Sequence, residues 1–137
     1  MMHTYLTFDG NCREAMNFYR QCLDGQLTLQ TVGESPMADR MPKKMQDCIL
    51  HATLSNDNLV LMASDMVADN GLVRGNAVSL LLNGNSEDEI RKWYDRLGKD
   101  GLKTHPIELT FWGALFGGLT DKFGNPWLLY YEQKNNL

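Results

Sequence analysis

The stretch that decides the fold is Phe111-Trp112-Gly113-Ala114-Leu115-Phe116-Gly117-Gly118-Leu119-Thr120-Asp121-Lys122-Phe123-Gly124-Asn125-Pro126-Trp127. Aromatic residues and glycines alternate with a turn, Asp121 to Pro126, set between strands expected over 111–120 and 127–132. At period two, Trp112 and Phe116 fall on one side of the first strand and Gly113 and Leu115 on the other. An aromatic stripe of this kind either fills a core or floors an apolar ligand pocket. Gly117-Gly118 marks a bulge or relieves crowding. It does not open a helix and forms no G-x-G-x-x-G fingerprint, so a phosphate cradle is not indicated.

Upstream of this stretch, residues 77–82 form an apolar strand. Ser86-Glu87-Asp88-Glu89 is a capping box of the S-x-x-E type, with acidic residues at the positive end of a helix dipole. Ile90, Trp93, Tyr94 and Leu97 give that helix its apolar face, Gly98 ends it, and a strand follows over 102–108. The first half repeats the order. A strand over 3–8 is stopped by Asp9-Gly10-Asn11, and Asn11 with Glu14 offers a helix N-cap. The helix buries Ala15, Met16, Phe18, Tyr19, Cys22 and Leu23 and ends at Asp24-Gly25. Strands follow over 26–32, 48–55 and 58–64, the last two joined by a hairpin turn at Ser55-Asn56-Asp57-Asn58. The polar segment 33–46 reads as a mobile loop. Both halves therefore read strand–helix–strand–strand–strand.

The chain has 137 residues, a hydrophobic fraction of 43% and a formal charge of -4. This balance suits a globular domain and disfavours nucleic acid or an anionic membrane as partner. No apolar run reaches the roughly 20 residues of a membrane span. The first residues lack the pattern of a signal peptide. Cys12, Cys22 and Cys48 lack metal-type spacing, so reduced thiols in a cytoplasmic protein are expected.

The element order is that of the βαβββ module. Tyr5-Leu6-Thr7-Phe8-Asp9-Gly10-Asn11-Cys12-Arg13-Glu14-Ala15-Met16-Asn17-Phe18-Tyr19 resembles the opening of PhnB-like proteins of the vicinal oxygen chelate superfamily. That superfamily includes glyoxalase I, extradiol dioxygenases and bleomycin-resistance proteins. His51-Ala52-Thr53-Leu54 with Leu61-Met62-Ala63-Ser64-Asp65 resembles the middle of the family. Phe111-Trp112-Gly113 with Thr120 to Trp127 resembles its close. The resemblance implies an α+β fold, one domain over 1–137 built of module one (1–66) and module two (74–134). Its curved mixed sheets surround a cleft, and a homodimer is expected.

Metal-dependent members place His, Gln or Glu on the inward faces of these strands, where a divalent cation acts as a Lewis acid. This chain has Leu128 where such relatives carry a glutamate after the glycine turn, Asn76-Ala77-Val78 where a histidine is wanted, and Leu59 to Met62 where a carboxylate is wanted. His3 is left as a residual metal-ligand candidate, and about three protein ligands are needed. No metal or cofactor is therefore expected. The favoured function is binding of a small molecule in an apolar cleft lined by His51, Trp112 and Phe116. The enzymatic alternative uses His51 as an acid or base, or an atypical metal site of His3 and His51. A third possibility is an interaction role with a vestigial cleft.

His51 is assigned from strand parity: Cys48, Leu50, Ala52 and Leu54 form the packed face, and Ile49, His51 and Thr53 the other. Glu108 serves as a general base if it faces the cleft and is otherwise a solvated strand-end carboxylate. His105, before Pro106, receives no role. No nucleophile elbow of the G-x-S-x-G type is present. No glycine-rich nucleotide loop supports the methyltransferase label carried by some PhnB-like sequences.

Overall fold

The computed structural model describes residues 1–133. The chain divides into two compact units, Met1–Val73 and Arg74–Leu137. The first contains β1 (Thr4–Thr7), α1 (Cys12–Leu23), β2 (Gln26–Thr31), β3 (Ile49–Ser55) and β4 (Val60–Ser64). The second contains β5 (Leu80–Asn83), α2 (Glu87–Leu97), β6 (Leu102–Leu109), β7 (Ala114–Thr120) and β8 (Pro126–Glu132). The expected end of the second module, residue 134, lies outside the described residues.

Each unit has one four-stranded open sheet, ordered β1-β4-β3-β2 in the first and β5-β8-β7-β6 in the second. In both, the first strand pairs in parallel with the last and the other pairings are antiparallel. The α+β fold of two βαβββ modules with mixed sheets is thus present as expected.

Helix α1 buries Cys12, Ala15, Met16, Tyr19, Cys22 and Leu23 against its sheet, and Phe18 stays half-buried. Its start differs from the local capping expected. Asn11 makes no side-chain cap. Instead Asp65, at the end of β4, accepts from the amides of Gly10 at 2.9 Å, Cys12 at 3.0 Å and Ile49 at 2.8 Å. A buried carboxylate is tolerated there because its oxygens are satisfied by backbone donors. The helix stops at Asp24, whose φ of 61° turns the chain, and Gly25 follows at φ 129°. A Cβ on Gly25 would lie 2.6 Å from the Ser55 carbonyl oxygen, so glycine is required.

The packed face of β3 is also corrected. Gln30 pairs with His51 while Thr31 pairs with Ile49, which leaves Leu50 as an extra residue. This bulge shifts the alternation by one. Ile49 joins Ala52 and Leu54 in the core, and Leu50 is only half-buried. The segment expected as a mobile loop carries two 3-10 turns, Ala38–Arg40 and Lys43–Met45. The Gln46 side chain ties them by donating to the carbonyls of Ala38 and Met41.

In the second unit Ser86 caps α2 as expected, accepting from the Glu89 amide at 3.1 Å. Glu89 reaches back one residue further, to the Asn85 amide. Helix α2 buries Ile90, Trp93 and Leu97 against β7 and β8. Leu115, Leu119, Trp127 and Leu129 supply the facing core. Burying side chains of this size stabilises by about 1.5–3 kcal/mol each. Among the described residues no helix is long and apolar enough to cross a membrane.

Candidate functional site

A one-sided helix leaves each sheet with a second face, and the strand alternation decides what it displays. In the second unit, pairing register places Glu108, Phe116, Tyr130 and Asn83 in one cross-strand row. His105, Gly118, Leu128 and Leu81 form the next. Phe116, Leu128 and Tyr130 are half-buried, while Leu81 is exposed. Gly118 keeps this row low: a Cβ there would meet Thr104, Leu128 and His105 at 3.2–3.4 Å. A hollow of about 220 Å³ opens beside it, lined by His105, Pro106, Glu108, Leu109, Thr110 and Phe116. Drug-sized pockets run roughly 300–1,000 Å³, so this one suits a small group or one end of a larger molecule.

Trp112 reaches this face from outside β7. The expected strand over 111–120 begins only at Ala114, because residues 110–113 form the hairpin turn after β6. The Gly113 amide donates to the Thr110 carbonyl, Gly113 takes φ 90°, and the Thr110 hydroxyl bonds the Ala114 backbone. Phe111 and Trp112 therefore occupy the two central turn positions. Strand parity does not relate Trp112 to Phe116. They are related instead through Tyr130, which pairs across from Phe116 and whose hydroxyl accepts from the Trp112 indole at 3.0 Å. The Phe111 ring meets Trp112 edge-on at 4.7 Å. Trp112 remains 52% exposed, so the indole is fixed in direction yet open to contact.

His51 lies on the open face of the first sheet, half-buried. Its Nε2 is 3.1 Å from the Thr53 hydroxyl, two residues along the same strand. Tyr5, Met62, Thr53 and Thr28 form a cross-strand row on that face. His3 precedes β1 and is exposed, with its Nε2 3.1 Å from the Met1 sulfur. Continuing the β1–β4–β3 register places His3 opposite Ser55. That is four residues from His51, roughly 13 Å along the strand direction.

The structure therefore does not bring His3 and His51 together as metal ligands. Among the described residues no group of three His, Cys, Asp or Glu is placed to hold a metal ion. Leu128, where the resemblance put a ligand, offers no donor atom. This donor set does not fit the divalent metal of metal-dependent relatives.

Sequence reasoning missed Tyr130 and assigned no role to His105, and it left Glu108 open. The alternation Trp127, Leu128, Leu129, Tyr130 carried the signal for Tyr130, since its odd members are core and its even members face away. The remaining polar clusters have structural explanations. Asp121 accepts from the amides of Phe123 and Asn125 and from the Trp127 indole, closing the turn before β8. Burial pushes the Cys12 thiol up to about 12, with the Asp65 charge adding to the effect. Burial likewise raises Cys48. Neither is an activated nucleophile.

Comparison with known proteins agrees with this architecture. The sequence model of the Glyoxalase/Bleomycin resistance protein/Dioxygenase superfamily matches residues 2–129. Protein YjdN of Escherichia coli strain K12 is 30% identical, over 91% of this chain and 90% of its own. The crystal structure of protein PA1353 from Pseudomonas aeruginosa superposes with a TM-score of 0.86 at 36% identity, covering 98% of each chain. A PhnB protein from Bacillus cereus, whose description also names 3-demethylubiquinone-9 3-methyltransferase, gives a TM-score of 0.73 at 28% identity. It covers 95% of this chain and 98% of that one. With its βαβββ order built twice and its sequence matched almost end to end, this chain belongs to the Glyoxalase/Bleomycin resistance protein/Dioxygenase superfamily.

Proposed function

We propose that this chain is a PhnB-like member of its superfamily that binds a small organic molecule without a metal. The similarity to the Bacillus cereus PhnB protein supports the branch. The observation that carries the binding reading is the open face of the second sheet. There Phe116 lines a hollow of about 220 Å³ with Pro106 and Leu109, Tyr130 pairs across from Phe116, and Trp112 is held beside it by its bond to Tyr130. Apolar walls with a few fixed polar groups are the usual composition of a small-molecule site. Leu128 is apolar at the position where a metal ligand would have contributed charge. His51 and Thr53 are the proposed polar groups of the first sheet's open face.

The protein is expected to work as a homodimer in the cytoplasm. Four sheet edges, β1, β2, β5 and β6, bear backbone groups that a two-fold partner can cover. Three free cysteines suit a reducing compartment.

The test is thermal unfolding of chelator-treated protein against small aromatic molecules, with Trp112→Ala as control. Stabilising molecules are expected, and their affinity should fall about tenfold in the variant, as befits an aromatic anchor. Stabilisers whose affinity Trp112→Ala leaves untouched would place binding elsewhere and sink the reading.

A further inference from the structure

From the charges around the hollow we infer that its ligand carries a cationic nitrogen on a flat apolar body. The inference rests on the binding reading above and names the class of molecule. Glu108 lines the hollow and sits opposite Phe116 in the β6–β7 register, so a carboxylate and an aromatic ring are neighbours on one face. The lining contains no lysine or arginine.

The nearby cation of β6 is directed elsewhere. Lys103 lies 3.2 Å from Asp95 and 4.9 Å from the Tyr94 ring centroid, both on α2. The edge strand thus sends its ammonium toward the helix and keeps its carboxylate at the hollow. The ion pairs Arg91–Glu87 and Lys103–Asp95 do not involve Glu108.

Pro106 and Leu109 bring apolar surface to the lining, which Thr110 and His105 complete. Beyond Phe116 stand Tyr130 and Trp112, the latter exposing part of its indole. An ammonium or amidinium group gains from a carboxylate and from aromatic faces together. A carboxylate or phosphate ligand would meet Glu108 with no lining cation to offset it.

The test follows the Trp112 indole N–H resonance, one of three from tryptophan, assigned by Trp112→Phe. The full chain is titrated with phenethylammonium, 2-phenylethanol and 3-phenylpropionate, then with zinc chloride alone. The cation should half-saturate at a concentration about fivefold or more below that of the alcohol, consistent with a charge-assisted contact at a partly exposed site. The carboxylate should bind weakest. Glu108→Gln should abolish the preference for cation over alcohol.

An alcohol that binds as well as the ammonium overturns the inference and leaves an apolar site standing, as does a preference that survives Glu108→Gln. Zinc perturbing the His105 and Glu108 resonances while the organic probes do not would overturn it in favour of an inorganic cation. A Trp112 resonance unmoved by every probe removes the binding reading itself and the inference with it.

Discussion

Asp65 is the residue on which the first unit turns. It joins the end of β4 to the start of α1 and the start of β3 by three backbone hydrogen bonds. Asparagine keeps one carbonyl oxygen and presents an N–H where an acceptor is needed. Asp65→Asn should therefore lower unfolding free energy by about 3 kcal/mol in urea titration. A loss under about 1 kcal/mol would mean the three amides are satisfied otherwise.

Cys12, donor of one of those amides, gives a pH signature. Its thiol is held protonated up to about 12, against an ordinary value of 9.0. Between these values the unfolded chain has released the proton and the folded chain has not, so stability falls as pH rises. Urea midpoints taken from about pH 8 to about pH 11 should decline, and less steeply in Cys12→Ala. Parallel slopes in the two proteins would remove Cys12 as a cause.

At the scale of elements, legibility followed the range of the determining contact. Helix α2 was readable because its cap is local: Ser86 accepts from the Glu89 amide three residues on, and the Glu89 carboxylate reaches back to the Asn85 amide. The cap of α1 was not, because Asp65 is over fifty residues from Cys12. Strand β3 was placed correctly, yet its core face was misread, since the unpaired Leu50 shifts the alternation and no local pattern announces it. Trp112 was misread for the opposite reason. Apolar residues filled a turn that Thr110 and Gly113 define, and alternation was carried through it.

Gly117 reports on the same limit. A Cβ there would lie 2.6 Å from Ile107 Cγ1 and 3.2 Å from its Cα, so β6 approaches through the missing side chain. Gly117→Ala should destabilise by about 2 kcal/mol through overpacking and speed amide exchange along β6 relative to β8. Unchanged exchange in β6 would show that the Ile107 side chain alone makes room.

At the scale of the molecule, two units repeat one topology and use their free faces differently. The first displays Tyr5, Met62, Thr28, His51 and Thr53, and the second sets Phe116, Leu128 and Tyr130 beside Glu108 and His105. Neither offers the donor set of a catalytic divalent metal among the described residues. Exhaustive dialysis against a chelator should leave the unfolding temperature within about 1 °C, as expected where no ion contributes binding free energy to the folded state. A fall of several degrees, reversed by one added metal, would reveal a site the side chains do not suggest.

The most direct measurement is isotope-filtered NOE spectroscopy on carbon-13-labelled protein with 2-phenylethanol or phenethylammonium. Cross-peaks from the aromatic probe to Phe116, Leu128 and Tyr130 are the expected result. Cross-peaks confined to Tyr5 and Met62 on the first sheet, or to neither sheet, would contradict a ligand site on the open face of the second.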